Sequence, residues 1–485
     1  MNKFYFIAIF ALGFVVSLPA QQLVSDTLLG SRTKVELTSQ FNLPFFQFDV
    51  KYYRITYTTK NVQGVLDTVS GLVVIPNDTT KIFPRLVYQH GFANLKLDVP
   101  SFNVSQIGGE GSIGLLFGGL GYVSLLPDYL GMGTAKGFHP AFHAASEAST
   151  ALDMLRAFKQ FITKYKGIRV NNQLFVTGYS EGGHAAMALQ RSIETSLTNE
   201  FVVTAAAHSS GPYSMGEVMR SWTITDSVNT NVAWLPLTVL SYQSAYGNIY
   251  NQLTDVFKAA YAIPISQYYA GTIDARQMGI QLAALLMNNE GSLRPYRMFQ
   301  PAFQQAILTN PNHPYNVALK LNDTYTWKAK APTRLYYCKA DEVIPYTNAI
   351  FAKDTMTALL ATDLMTSDVN TNASHLDCVT NALTNTVFFF IVYQQVTNFV
   401  LATNNPTVES LEMYPNPATQ SVILRNLTNS GKFSITDING RVRLEEKVFG
   451  TEHVVDLSSL ENGIFFVRYV TEGKVMQGKL IHAHN

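Results

Sequence analysis

Residues 178–182 read Gly-Tyr-Ser-Glu-Gly. A serine framed by glycines, placed where an apolar run gives way to an alanine-rich helical pattern, has the form of a nucleophile elbow, in which small neighbours permit a bend that exposes the hydroxyl. The pentapeptide recurs by chance in chains of this size, so its setting must carry the assignment. A serine hydroxyl is a weak nucleophile until a base takes its proton, and that base needs an acid to fix its tautomer. Two further donors must meet the developing oxyanion. The backbone N–H of Glu181, the residue after the serine, is expected to be one of them. Histidines and acids show no metal-ligand spacing such as His-Glu-x-x-His, so neither a metal nor any other cofactor is expected.

The elements that must position these groups follow from hydrophobic periodicity. "KYYRITYTT" and "DTVSGLVVIP" predict an entering antiparallel pair, while "RLVYQHG" from Arg85 and "GYVSLLPDYLG" from Gly121 predict buried strands ending in glycine loops. Apolar residues at 148, 151, 152, 155, 158 and 162 form a helical stripe, and "QLFVTG" is a strand leading directly to Ser180. Strands alternating with helices point to an α/β domain with a mostly parallel sheet. "VFFFIVYQQVTNFVLA" from Val387 is too short and too polar at Gln394 and Gln395 for a membrane span, and reads as a buried helix.

In the α/β-hydrolase arrangement the chain order is serine, acid, histidine. His90, His139 and His143 precede Ser180, His184 and His208 follow it too closely, His313 precedes any late strand, and His453, His482 and His484 lie in the tail. His375 is left as the base. "APTRLYYCKADEVIPYTNA" is a β-rich strand ending at Asp341, the expected acid; taken singly, an ordinary loop cap and a helix-start histidine are the other readings of the two residues. The chain resembles the α/β-hydrolase superfamily at "QHGF" (89–92), "GYSEGG" (178–183), "ADEVIP" (340–345) and "SHLDC" (374–378). "LPDYLGMG" (126–133) and "HPAFHAASEASTALDMLRAF" (139–158) resemble its secretory lipase branch. For the second oxyanion donor the general fold implies Phe92 and the narrower resemblance implies Asp128. Residues about 215–325 should form a helical cap insertion, with an amphipathic helix through Leu253, Val256, Phe257, Ala260 and Tyr261 and aromatic surface from Trp234, Tyr242, Tyr246, Tyr268 and Tyr269.

Residues 1–20 have Lys3, an apolar core and a Pro19-Ala20 break, and read as a secretory signal peptide, a single membrane anchor being the other reading. The hydrolase domain is expected over 21–400, a linker over 401–410 and a small all-β sandwich-like domain over 411–485, where short alternating runs are separated by Asn439-Gly440 and Asn462-Gly463. "MYPNPATQSVIL" (413–424), "DINGRV" (437–442), "DLSSLENGIFFVRYV" (456–470) and "GKVMQGKLI" (473–481) resemble the C-terminal sorting domain of Bacteroidetes type IX secretion cargo. That resemblance implies secreted or cell-surface delivery, with the type IX machinery as a partner; without it the tail reads as a carbohydrate-binding sandwich. A net charge of +1 gives no case for nucleic acid.

The reading is a secreted serine hydrolase of small-molecule or lipid carboxylic esters. A serine peptidase of the same fold (prolyl or dipeptidyl type) and a catalytically idle surface-binding protein are the alternatives. The chain has two cysteines, Cys338 three residues before Asp341 and Cys378 three after His375. If Asp341 and His375 touch, the cysteines come together too, and an oxidising destination favours a disulfide, two buried free thiols being the other reading.

Overall fold

The computed structural model describes residues 22–399, except 107 and 166, and 408–485, except 428, 429, 472, 473, 484 and 485. The signal peptide expected at 1–20 and residues 401–407 of the expected linker lie outside the described residues. The chain divides after Phe399 into two compact units.

The first unit is built on nine strands: β1 (Leu23–Arg32), β2 (Val50–Lys60), β3 (Leu66–Pro76), β4 (Lys81–Gln89), β5 (Val123–Pro127), β6 (Val170–Tyr179), β7 (Ala205–Ser209), β8 (Thr333–Tyr337) and β9 (Leu364–Asp368). Their order is β1-β2-β3-β5-β4-β6-β7-β8-β9, and a two-residue strand at Thr397–Asn398 adds to β4. The pairings from β1 to β5 are antiparallel, and those from β5 through β4 to β9 are parallel. Alternation explains why both faces are covered: on β3, Val69, Val73 and Ile75 enter one apolar core with Phe158 and Leu189, while Leu72 and Val74 enter the other with Phe117 and Phe390. Helices Ala144–Lys164 and Glu181–Ser196 cover the first face; Gly111–Gly119 and His375–Ile391 cover the second. The chain runs from β4 to β5 on one side and then crosses to β6 on the other, leaving a crevice at the carboxyl ends of the parallel strands.

Between β7 and β8 the chain leaves the sheet for a run of helices from Met215 to Leu321, with a core of its own around Trp234, Tyr242, Phe257, Met298 and Tyr315. The single amphipathic helix expected there is two: Leu253–Val256 and Ala259–Tyr269. Phe257 breaks the register by taking an extended conformation and bridging to Phe299, and Ala260 is exposed. The apolar run from Val387 also differs from a buried helix. Its helix stops at Ile391, and only one side is covered, with Phe390 buried but Phe388 63% and Val392 74% exposed. Phenylalanines at consecutive positions necessarily face different ways on a helix.

His208 sits fully buried on β7, its Nε2 donating to Gln190 Oε1 at 2.7 Å. Burial pushes this imidazole from its ordinary 6.5 down to about 3. The folded state therefore holds fewer protons than the unfolded chain between those values, so this contribution to stability is complete above 6.5 and is lost as pH falls towards 3. His208→Gln should flatten the acid limb of a melting-temperature profile between about pH 6.5 and 4; an unchanged slope would mean that another group governs it.

The second unit contains a five-stranded sheet, ordered Val408–Ser410, Lys474–His482, Gly463–Thr471, Ser430–Asp437, Val442–Phe449, and a three-stranded sheet, Glu412–Tyr414, Ser421–Arg425, His453–Asp456. Leu424, Phe433, Ile435, Val467 and Leu480 share one buried core, so this is a small all-β sandwich-like domain.

Candidate active site

Ser180 stands at the carboxyl end of β6, immediately before helix Glu181–Ser196, with φ 60° and ψ −124°. Two glycines make this bend possible. A Cβ at Gly182 would fall onto the carbonyl oxygen of Gln89, and one at Gly178 onto the carbonyl of Gly182. The Ser180 N–H donates to Ser209 O at 3.0 Å, tying the corner to β7.

His375 is the first residue of helix His375–Ile391, capped by Ser374, whose side chain accepts from Asp377 N. Its Nε2 lies 2.9 Å from Ser180 Oγ and its Nδ1 2.7 Å from Asp341 Oδ2. The other Asp341 oxygen accepts from the N–H groups of Val343 and Ile344 at 3.0 and 2.8 Å, which leaves Oδ2 aimed at the imidazole. The backbone of His375 is held as firmly as its ring: its N–H donates to Glu342 Oε2 at 3.0 Å, and its carbonyl accepts from Tyr179 OH at 2.5 Å. Asp341 and His375 are both buried, whereas Ser180 is half-buried. Cys338 and Cys378 form a disulfide, Cα atoms 6.1 Å apart, linking the chain just before Asp341 to the first turn of the helix that begins at His375.

Ser180 and His375 line a cavity of about 260 Å³ with the apolar side chains of Phe92, Phe142, Trp234, Leu237 and Val343. Among the described residues, no protein acceptor takes the backbone N–H of Phe92 or of Glu181. Asp128 is placed elsewhere. It is fully buried, does not line the cavity, and its N–H is committed to Ser70 O at 3.0 Å. Its carboxyl oxygens accept from Ser70 Oγ, Ser101 Oγ and Ser101 N. These bonds tie Asp128 to β3 and to the Pro100–Asn103 helix.

Behind the nucleophile lie two buried histidine–carboxylate pairs that serine-acid-histidine order alone passes over. His139 Nε2 is 2.9 Å from Glu181 Oε1, and His184 Nδ1 is 2.7 Å from Glu147 Oε2. In each ring the second nitrogen faces a backbone carbonyl, Leu130 O and Asn322 O respectively, and must donate to it. Each pair therefore shares one proton. Burial alone would lower His139 and raise Glu181, but their mutual attraction outweighs it, leaving His139 above and Glu181 below its ordinary value. The sequence signal for these pairs is the histidine-rich "HPAFHAASE" just ahead of the elbow. Its histidines fail as a base by chain order, and the pairing of His139 with Glu181 and of Glu147 with His184 is visible only once the fold brings them together. Among the described residues no group of three or more His, Cys, Asp or Glu side chains is arranged to hold a metal.

Solved structures similar to this chain include hydrolases. The rice cell wall degrading esterase LipA from Xanthomonas oryzae matches at 26% identity and a TM-score of 0.66, over 76% of this chain and 97% of that one. A Legionella pneumophila protein assigned as a hydrolase matches at 25% identity and 0.68, over 77% and 98%. Lipase A of Candida antarctica in its closed state, at 15% identity and 0.57 over 76% and 81%, shares the fold. A search of curated proteins by sequence finds no match. The family model for the secretion system C-terminal sorting domain matches residues 412–483. No described helix is long and apolar enough to cross a membrane. The first unit thus has the α/β-hydrolase fold and is similar to LipA-type esterases, and residues 412–483 form a secretion system C-terminal sorting domain of the type IX kind.

Proposed function

We propose that the protein is a secreted serine hydrolase of carboxylic esters, working through an acyl-enzyme on Ser180. The observation that carries this reading is the continuous hydrogen-bond chain Ser180–His375–Asp341 opening into a mostly apolar cavity. In this mechanism His375 takes the Ser180 proton as the oxygen attacks the ester carbonyl, and Asp341 holds the Nδ1–H and stabilises the imidazolium that forms. The N–H groups of Glu181 and Phe92 receive the oxyanion. His375 then gives its proton to the departing alkoxide, and a water deprotonated by the same ring releases the acid. A cavity of about 260 Å³ lies at the lower edge of the range for small-molecule sites, which favours acyl groups of a few carbons over long fatty chains.

Purified protein should hydrolyse nitrophenyl acetate and butyrate faster than the palmitate, and should leave proline and alanine nitroanilides intact. Cleavage of the anilides with the esters ignored would replace this reading with the peptidase one. Delivery rests on the tail, and a chain lacking 411–485 should remain folded and active but stay in the periplasm, because the tail has a core of its own. Surface or extracellular activity of that truncated chain, read by fractionation, would contradict the export role.

A further inference from the structure

The two segments that supply the oxyanion donors are joined by one buried brace, formed by Tyr129 and His139. Tyr129 stacks on the His90 ring, centroids 4.2 Å apart, and lies parallel to the His139 ring at 5.7 Å. Its hydroxyl donates to His90 O at 2.9 Å. On the opposite pole of the same peptide unit, Gly91 N donates to Glu110 Oε1 at 3.2 Å, and Glu110 Oε2 accepts from Tyr88 OH at 2.7 Å. A peptide plane held at both its C=O and its N–H cannot rotate, and the next plane is held in turn at Gly91 O, which accepts from His90 Nδ1 at 2.7 Å, so the direction of the Phe92 N–H is set. His139 meanwhile holds the Glu181 side chain, and its Nδ1 is anchored to Leu130 O at 2.9 Å, next in the chain to Tyr129. Tyr129 itself has φ 69°, a left-handed conformation that a bulky residue adopts only when its surroundings impose it.

We infer that Tyr129 and His139 are positioning residues for the oxyanion site, fixing the Phe92 and Glu181 N–H groups relative to one another. The inference rests on the proposed serine mechanism and adds to it the residues that pre-organise its electrostatics. Pre-organised donors act more strongly on the transition state than on bound substrate. Their misplacement therefore lowers kcat and leaves KM nearly alone.

The test uses the full chain and the variant Tyr129→Phe, which keeps the ring stack and removes only the hydroxyl. For nitrophenyl butyrate, kcat should fall about tenfold with KM changed less than about twofold, and affinity for a trifluoromethyl ketone, which mimics the tetrahedral intermediate, should fall in proportion. The rate at which a fluorophosphonate labels Ser180, followed by intact mass, should fall by the same factor. If that variant does not fold, the double variant His139→Leu with Glu181→Leu removes the buried pair without leaving a lone charge, and should show the same pattern. Unchanged kcat, inhibitor affinity and labelling rate in a folded variant would overturn the inference. A wild-type protein that labels with fluorophosphonate but turns over no ester would refute the ester reading instead, and the labelling rates would still decide the positioning role.

Discussion

Ser180→Ala is expected to lose at least about a thousandfold in ester turnover, with the protein still folded and still able to bind substrate. The size of the loss follows from the geometry. Ser180 Oγ is the atom His375 Nε2 reaches at 2.9 Å, and no other hydroxyl contacts that nitrogen among the described residues. His375→Ala should lose a comparable factor, and the double variant should lose little more than either alone, because nucleophile and base act as one unit. Asp341→Asn should cost up to about ten-thousandfold. The amide can offer a donor where Asp341 Oδ2 now accepts from Nδ1, turning the ring to the tautomer that cannot take the serine proton. Steady-state kinetics on the four proteins check this. Losses that multiply in the double variant would show that serine and histidine act independently.

Breaking the Cys338–Cys378 disulfide should have the largest effect on stability. The cysteines are 40 residues apart, and cross-linking a loop of that size stabilises by roughly 4 kcal/mol on the chain-entropy model. Both sulfurs are buried, and the bond ties the first turn of the His375 helix to the chain that carries Asp341, so its loss loosens the acid against the base. The Cys338→Ser, Cys378→Ser variant should therefore unfold at lower denaturant concentration and show reduced kcat at temperatures where it is still folded. Equal midpoints and equal kcat for variant and wild type would mean that the loop is held by its other bonds, the His375 contacts to Glu342 and Tyr179 among them.

The central sheet was legible in the sequence because its strands carry strong, simple signals. β2 alternates, β3 carries the continuous apolar run Leu72–Ile75, β4 and β6 are short apolar runs ended by glycine, and the helix over 144–164 has an unbroken apolar stripe. Ser180, Asp341 and His375, picked out by chain order, are linked by hydrogen bonds through His375 because Ser180 follows β6, His375 starts a helix and Asp341 sits in the turn just beyond β8, which ends at Tyr337 rather than at the acid. The proposed oxyanion donors were less legible, since backbone N–H groups have no residue type. Asp128 illustrates the difficulty, as a buried acid serves equally well to satisfy Ser70 and Ser101. The helices between β7 and β8 were misjudged at Phe257, where bridging to Phe299 overrides a good local helical pattern. The brace of Tyr129 and His139 had no local signature, because it depends on stacking between segments that only the folded sheet brings side by side.

The central claim is a covalent acyl-enzyme on Ser180, and rapid-quench mass spectrometry during turnover of nitrophenyl butyrate tests it directly. The intact protein should gain one butyryl group within the first turnover, peptide mapping should place that group on Ser180, and the adduct should decay at the steady-state rate or faster. Release of a full equivalent of nitrophenol with no butyryl adduct on Ser180, or with the adduct on another residue, would contradict the account.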